Sequence, residues 1–223
     1  MNKSIVFKSL NKIGIALTAL TAIGFATTNS ASAATVTTLL QDDFNQENNG
    51  VGTLNYNQFA NFDVINGSVD LIGNGFFDFL PGNGLYVDLD GSTFLAGTLQ
   101  SKTTFNFQPG DIVNLSFQLA GNQRNAMIDP VTVTLGNLFN ETFSLPPSQG
   151  FTTISRSFTV ASATSATLNF RETGTDNIGL LLDNVTLTKS VPEPGSIMGL
   201  LAFGAFGATS LCKRKQQQSA TNA

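Results

Sequence analysis

Hydrophobic and polar residues alternate along much of the middle of the chain. In residues 85–89, 112–120 and 131–135 every second residue is Val, Leu or Phe, and polar residues fill most of the positions between them. Residues 151–160, 166–171 and 178–189 have a similar composition. A period of two places alternate side chains on opposite faces of a strand. The pattern therefore predicts antiparallel strands with one buried face.

Glycine and asparagine interrupt the chain at intervals of about ten residues, which is the spacing of turns between short strands. Thr, Val, Phe, Asn and Gly dominate residues 34–190, and runs rich in Ala and Lys are missing there. We therefore predict an all-β domain of eight or nine strands that form a two-sheet antiparallel β-sandwich. Asn66-Gly67 lies between two strand-like segments and predicts a type I′ hairpin there.

The beginning of the chain has the pattern of a secretory signal peptide. Three lysines within the first twelve residues precede an apolar stretch over residues 13–25. Ala31 and Ala33 then supply the small residues of a cleavage site. We expect residues 1–33 to be removed on export. The alternative is an uncleaved N-terminal helix.

The chain closes with a proline-containing segment, an uncharged apolar run and a basic cluster. The run would reach about 26 Å as a helix, close to the thickness of a bilayer core. The basic cluster is expected to stop transfer and stay cytoplasmic, and the prolines should keep the preceding segment extended. The three parts are Val191, Pro192, Glu193 and Pro194; residues 195–211; and Lys213, Arg214 and Lys215 in the tail 212–223.

This order of parts resembles the PEP-CTERM sorting signal, over about residues 191–215. The resemblance implies a membrane-anchored intermediate and processing by an exosortase, with display at the surface of bacteria that make extracellular polysaccharide. The same C-terminal segment is also labelled an ice-binding protein C-terminal domain, which describes the tail and not an activity. The alternative is a plain C-terminal membrane anchor that is never cut.

Charge and composition exclude several classes of function for the domain over residues 34–190. It contains fourteen acidic and five basic residues, a net charge of −9, which argues against nucleic-acid binding. The chain has no histidine and one cysteine, Cys212, so Ser-His and Cys-His nucleophiles and most zinc sites are excluded. Glu47, Glu141 and Glu172 have no recognisable catalytic context. We therefore expect a protein that is not an enzyme.

Four stretches of the domain resemble galactose-binding-like jelly rolls, including carbohydrate-binding modules. They are QDDF at 41–44, GLYVDLDGS at 84–92, PGDIVNLSFQLAGN at 109–122 and GLLLDNVTLT at 179–188. The resemblance implies a jelly-roll order of strands and polysaccharide as a ligand. In this family a structural calcium often joins the first and last strands.

Three acidic residues are the candidate calcium ligands. In a regular strand Asp183 would share a buried face with Leu181 and Val185, and an ionised group there needs a partner. Asp42 and Asp43 match the position of the first-strand ligand in the resembling jelly rolls, and carboxylate oxygens suit Ca²⁺. The alternative is a β-bulge that turns Asp183 outward or lets it bind backbone amides.

The candidate ligand site consists of aromatic and polar residues. Tyr86 and Asp88 lie on the polar face of their predicted strand, and Phe76 and Phe77 lie in a glycine-rich loop. Aromatic rings provide stacking surfaces for a sugar, and Arg124, in a polar loop, could bind its hydroxyl groups. The alternatives are that the glycine-rich loop folds under the rim of the sandwich and buries at least one of its phenylalanines, and that the loop of Arg124 is a solvated connection. Asp88 and Asp90 are themselves expected to form a solvated turn. These residues favour polysaccharide or matrix binding, and the alternative is a structural or adhesive surface protein.

Overall fold

The computed structural model describes residues 35–124 and 130–191, and these residues contain thirteen strands and one short 3₁₀ helix, Glu47–Gly50. The strands are β1 Thr35–Asp42, β2 Phe62–Ile65, β3 Asp70–Gly73, β4 Leu85–Asp88, β5 Thr98–Ser101, β6 Phe105–Phe107, β7 Ile112–Ala120, β8 Val131–Leu135, β9 Phe139–Phe143, β10 Thr152–Thr159, β11 Thr164–Ala166, β12 Leu168–Glu172 and β13 Leu181–Val191.

Two large sheets contain eleven of these strands. One has the order β10-β7-β13-β4-β3, and β1 also pairs with β13; the other has the order β2-β5-β12-β8-β9. A third, small sheet pairs β11 with β6. All strand pairs are antiparallel. The predictions of an all-β domain and of antiparallel pairing are therefore confirmed for the residues that the structure describes.

The main core contains alternate residues from both large sheets. Phe117 of β7 meets Phe170 of β12 edge to face, with 5.2 Å between ring centroids, and both rings are fully buried. Such aromatic pairs add about 0.5–1.5 kcal/mol beyond the burial of their area. Contact between the inner faces of two sheets is consistent with a β-sandwich.

Strand boundaries agree with the sequence pattern where one face alone is buried. β7 and β8 coincide with the predicted segments 112–120 and 131–135. The prediction of eight or nine strands is wrong, because the described residues contain thirteen. β6 and β11 were not predicted, since segments of three residues are too short to show a period.

The predicted hairpin at Asn66-Gly67 is wrong. Both residues have the positive φ of such a turn, 58° and 143°, but β2 pairs with β5 and β3 pairs with β4. The two strands thus belong to different sheets, and the turn carries the chain from one sheet to the other. A Cβ on Gly67 would collide with the carbonyl oxygen of Ala96, so this crossing requires glycine.

Both ends of the described domain lie at the same end of one strand pair. Thr35 of β1 is opposite Val191 of β13, whereas Leu181, where β13 begins, is opposite Asp88. The predicted signal peptide 1–33, the apolar helix 195–211 and the tail 212–223 lie outside the described residues. In the described part of the chain, no helix has the length and hydrophobicity needed to cross a bilayer.

Candidate functional site

A loop over residues 74–84 covers the outer face of the six-stranded sheet beside β3 and β4. Its Phe76, Phe79 and Leu80 pack on a second apolar cluster, which contains Tyr86 and Leu181. Tyr86 is fully buried there, and its hydroxyl donates to Asp78 and accepts from the Leu80 amide. Burial raises its pKa to about 12.

The prediction that Tyr86 offers an exposed stacking surface is therefore wrong. The sequence pattern placed Tyr86 on the correct face of β4, because Leu85 and Val87, on the opposite face, belong to the main core. The loop, however, covers the face that the sequence pattern assigned to solvent. Phe76, which belongs to this loop, is half-buried against the second apolar cluster, and its ring meets that of Phe77 edge to face at 4.9 Å.

The structure brings three of the predicted ligand residues to one small pocket. Phe77, Asp88 and Arg124 line a pocket of about 60 Å³, together with Asp70 and Ser92. Phe77 has an exposed fraction of 55%, whereas Asp88 is buried. An exposed aromatic ring thus lies beside hydroxyl, carboxylate and guanidinium groups.

Arg124 connects the parts of this pocket. Its guanidinium pairs with Asp88, donates to the Asn177 carbonyl at 2.9 Å, and lies 4.9 Å from the centre of the Phe79 ring. Burial raises the pKa of Asp88 to about 7, although the positive charge of Arg124 acts in the opposite direction. The position of Arg124 is therefore fixed by groups from three segments.

Asp88 and Asp90 do not form the predicted solvated turn. Their exposed fractions are 1% and 0%, because the loop over residues 173–179 covers them. Asp88 accepts from the amides of Asp90 and Gly179, and Asp90 accepts from the amides of Asp176 and Asn177. Burial raises the pKa of Asp90.

Two further acidic residues of this region were missed by sequence reasoning. Glu172, at the end of β12, has an exposed fraction of 2%, and Asp176 contributes a buried carboxylate oxygen. The alternation along β12 could have indicated that Glu172 is buried, since Glu172 lies on the same face of the strand as Leu168 and Phe170 of the core. Asp176 gave no such signal, because it lies in an irregular loop. We call Asp88, Asp90, Glu172 and Asp176 the buried acidic cluster.

Asp183 lies at a β-bulge, which is the alternative left open by the sequence. The register of β13 shifts between Asp183 and Thr186, and Asn184 has a φ of 50°. The shift reverses the alternation, so Asp183 lies on the face of Leu181 and not on that of Val185. The predicted shared face is therefore wrong. The carboxylate is nevertheless buried, and it accepts from the amide N–H and side chain of Asn184.

Burial raises the pKa of Asp183 to about 7, and the nearby negative charges of Asp43 and Asp42 act in the same direction. Asp42 accepts from the Phe44 amide and the Asn61 side chain, and Asp43 from the Asn45 amide. Among the described residues no three acidic, histidine or cysteine side chains group as metal ligands. These three residues, already bound to amides, do not fit the expected calcium site.

Two exposed phenylalanines near Arg124 share an unusual backbone conformation. Phe77 and Phe94 have φ values of 44° and 61°, and Phe94 has an exposed fraction of 67%. The Phe94 amide donates to the Asn177 side chain, and the Asn177 carbonyl accepts from Arg124. Positive φ is uncommon for residues other than glycine and often marks functional sites. We call Phe77, Phe94 and Arg124 the aromatic surface.

Comparison with protein families identifies the end of the chain. Residues 190–215 match the PEP-CTERM protein-sorting motif, so the chain carries this motif, as its residues predicted. The motif implies export, membrane-anchored sorting and processing by an exosortase. Its first two residues, Ser190 and Val191, belong to β13. No curated protein matches the chain.

Solved structures with a similar arrangement include the K3 and K1 cleaved adhesin domains of Lys-gingipain from Porphyromonas gingivalis. The identities are 15% and 16%, the TM-scores 0.44 and 0.45, and the matches cover 69% and 68% of this chain and 99% and 97% of those domains. The CBM22-1-GH10 modules of a Clostridium thermocellum xylanase match with 14% identity and a TM-score of 0.39 over 68% of this chain. The chain spans 28% of that xylanase chain.

Proposed function

We propose that this is an exported, surface-sorted protein that is not an enzyme and whose β-domain, with the jelly-roll order expected from its sequence, binds polysaccharide. The observation that carries the proposal is the aromatic surface. Two phenylalanines that a folding chain would normally bury are exposed: Phe77 lines the pocket of Arg124, and Phe94 is connected to Arg124 through Asn177. A sugar ring could stack on their faces while Arg124 and Ser92 bind its hydroxyl groups.

Backbone strain supports a role for these rings in binding. A positive φ at a residue other than glycine costs about 1–3 kcal/mol and persists only where the surroundings enforce it. At Phe94 the enforcing contact is the hydrogen bond from its amide to Asn177. At Phe77 it is the packing of the neighbouring Phe76 and Phe79 on the second apolar cluster.

The direction of the strands supports display of this surface. The sorting motif begins at Ser190, near the end of β13, whereas Arg124 contacts Asp88 and Asn177 near the start of the same strand. β13 has eleven residues, which extend about 35 Å at 3.2–3.4 Å per residue. A membrane anchor following Val191 would therefore leave the aromatic surface at the far end of the domain.

A second function, structural or adhesive, is favoured by the edges of the sheets. β10 and β9 each pair on one side only within the described residues, and β10 exposes Thr153, Ser155 and Ser157. A free edge offers backbone groups to a further strand. In that role the protein would associate with itself or with other surface proteins and would recognise no glycan.

A glycan array probed with the full chain tests the proposal. We expect binding to at least one polysaccharide, and a loss of about tenfold or more for Phe77→Ala and for Phe94→Ala, since stacked rings contribute about 1–3 kcal/mol. Alanine at these positions keeps the same backbone strain, so folding should change little.

Val36→Ala is the matched control for this experiment. Val36 is exposed to a similar degree, 63%, but lies in β1 opposite Ser190, at the other end of the domain. It should bind as the unchanged chain does. Absence of binding to any glycan, together with self-association that increases with concentration, would favour the structural function.

A further inference from the structure

One arginine of the domain has no carboxylate partner, although acidic residues far outnumber basic ones there. All five basic residues of the range 34–190 belong to the described part of the chain. The four that form ion pairs are Lys102, Arg124, Arg156 and Lys189. Arg171 of β12 forms no ion pair within residues 35–124 and 130–191, and it is exposed. Its positive charge is therefore available to a ligand.

The strands on both sides of Arg171 present neutral side chains on its face of the five-stranded sheet. Arg171 lies opposite Thr98 of β5 and opposite Thr132 of β8. Asp63 shares this face, but it lies in β2, two strands away, and pairs with Lys102. No carboxylate thus lies directly opposite the arginine in the described sheet. Physiological salt screens more distant charges, including most of the net charge of −9, beyond about 8 Å.

Arg171 also lines a pocket of about 260 Å³ at the end of β12. The other polar residues that line this pocket are Asn66, Thr98, Glu172, Thr173 and Thr175. Both carboxylate oxygens of Glu172 are buried, so the charge that this pocket presents to solvent is that of Arg171. Hydroxyl and amide groups around one cation suit a ligand that carries both hydroxyl groups and a negative charge.

A short segment connects this pocket to the aromatic surface. Ser92 lines the pocket of Arg124, and Leu95, three residues later, lines the pocket of Arg171. Between them lies Phe94, with an exposed fraction of 67%, and Leu95 itself is 55% exposed. Three residues extend at most about 11 Å. One oligosaccharide can therefore contact both pockets and the phenylalanine ring between them.

We infer that the pocket of Arg171 is a second subsite of the polysaccharide site and that it binds a sugar with a carboxylate group, a uronic acid. This inference rests on the proposed function and names the class of polysaccharide. A guanidinium donates two parallel hydrogen bonds to a carboxylate, and its plane matches that of the carboxylate. Stacking on the aromatic surface does not depend on charge, so Arg171 is the residue that selects an acidic polysaccharide over a neutral one.

Binding of the full chain to polyuronates tests this inference. Alginate, polygalacturonate and hyaluronate are each compared with their neutral, carboxyl-reduced forms at physiological salt. We expect at least one polyuronate to bind about tenfold or more tightly than its reduced form, since hydrogen bonds between charged groups are strong. Arg171→Gln should lower the affinity for that polyuronate to the affinity for the reduced form. Arg156→Gln, a matched change at an arginine paired with Glu141, should keep the preference.

The outcomes distinguish this inference from the proposed function. If the chain binds a neutral glycan and no polyuronate, the inference is wrong and the proposed function stands. The same holds if Arg171→Gln keeps the preference for the carboxylate, or if Arg156→Gln removes it equally, since the effect would then be one of overall charge. If no glycan of either kind binds, both are wrong. Thermal unfolding checks that Arg171→Gln folds as the unchanged chain does, which its exposure leads us to expect.

Discussion

The two acidic regions of this domain both lie near the start of β13, and their buried carboxylates have different partners. At the bulge, Asp183 and Asp42 bind amides from residues adjacent to them or from a nearby loop. In the buried acidic cluster, Asp88 pairs with Arg124, and one oxygen of Asp90 has no hydrogen-bond partner within residues 35–124 and 130–191. The carboxylates at the bulge are thus held by amides, whereas Asp88 is held by a cation from another segment.

This difference shows that acidic residues near the first and last strands of this domain have amide groups as partners. A bulge supplies extra backbone N–H groups, and these satisfy a carboxylate without a cation. Closely packed loops supply fewer such groups for each carboxylate. The two regions should therefore respond differently to changes in charge, in side-chain volume, in pH and in hydrogen bonding.

Loss of Arg124 should have the largest effect. Arg124→Gln leaves Asp88 buried without its cation, which should lower the free energy of unfolding by about 3 kcal/mol at pH 7.5. Chemical denaturation measures this change. The double variant with Asp88→Asn should recover most of the loss. Arg156→Gln, which breaks the half-exposed pair with Glu141, should cost less than about 1 kcal/mol. Equal losses for the two arginines would remove the contrast between buried and exposed pairs.

A methyl group on Gly179 should disrupt the buried acidic cluster by steric overlap, without any change of charge. Gly179→Ala should cost about 1–3 kcal/mol, because the Cβ would overlap Glu172 and Asp88 oxygens. Gly150→Ala is the control, since nothing lies within 4 Å of its added Cβ. Thermal unfolding of both variants checks this. A Gly179→Ala chain as stable as Gly150→Ala would mean that the loop relaxes freely.

Stability should increase on acidification. The folded-state pKa of both Asp88 and Asp183 is raised from 3.8 to about 7, so the folded chain binds protons more tightly than the unfolded chain. Their contribution is present below about pH 4 and is lost as the pH rises through 7. We expect a higher Tm at pH 5.5 than at pH 8. Asp183→Asn should reduce the difference by raising the Tm at pH 8, and an unchanged difference would contradict the assignment to Asp183.

The smallest effect is expected for the side chain of Asn184. It donates to Gln118 and to Asp183, both at 3.0 Å. Asn184→Ala should cost about 1 kcal/mol at pH 7.5, the typical net value of such bonds. Asn184→Gly should cost less, because glycine relieves the positive φ. Urea denaturation distinguishes the two variants, and a larger loss for glycine would indicate that backbone strain is unimportant here.

The strands that the sequence predicted best are those with one buried and one accessible face. β7 and β8 were placed to the residue because each has one buried and one more accessible face, which a period of two records directly. β4 gave a misleading pattern, since its polar face is covered by the loop over residues 74–84. Burial on that second face depends on a segment with no period of its own.

The sequence by itself determined the strand class, the acidic character of the domain and the sorting motif, because these follow from local composition and order. Only the tertiary structure decided which carboxylates are buried. The cluster of Asp88, Asp90, Glu172 and Asp176 is brought together by hydrogen bonds between residues more than 80 positions apart in the sequence, such as that from Gly179 to Asp88. The tertiary structure also decided that Asp183 accepts hydrogen bonds from Asn184 within the β-bulge and that the side chains of Phe77 and Phe94 are exposed to solvent. The reason is that solvent exposure depends on which loop folds over which face, and the order of residues along a strand does not record this.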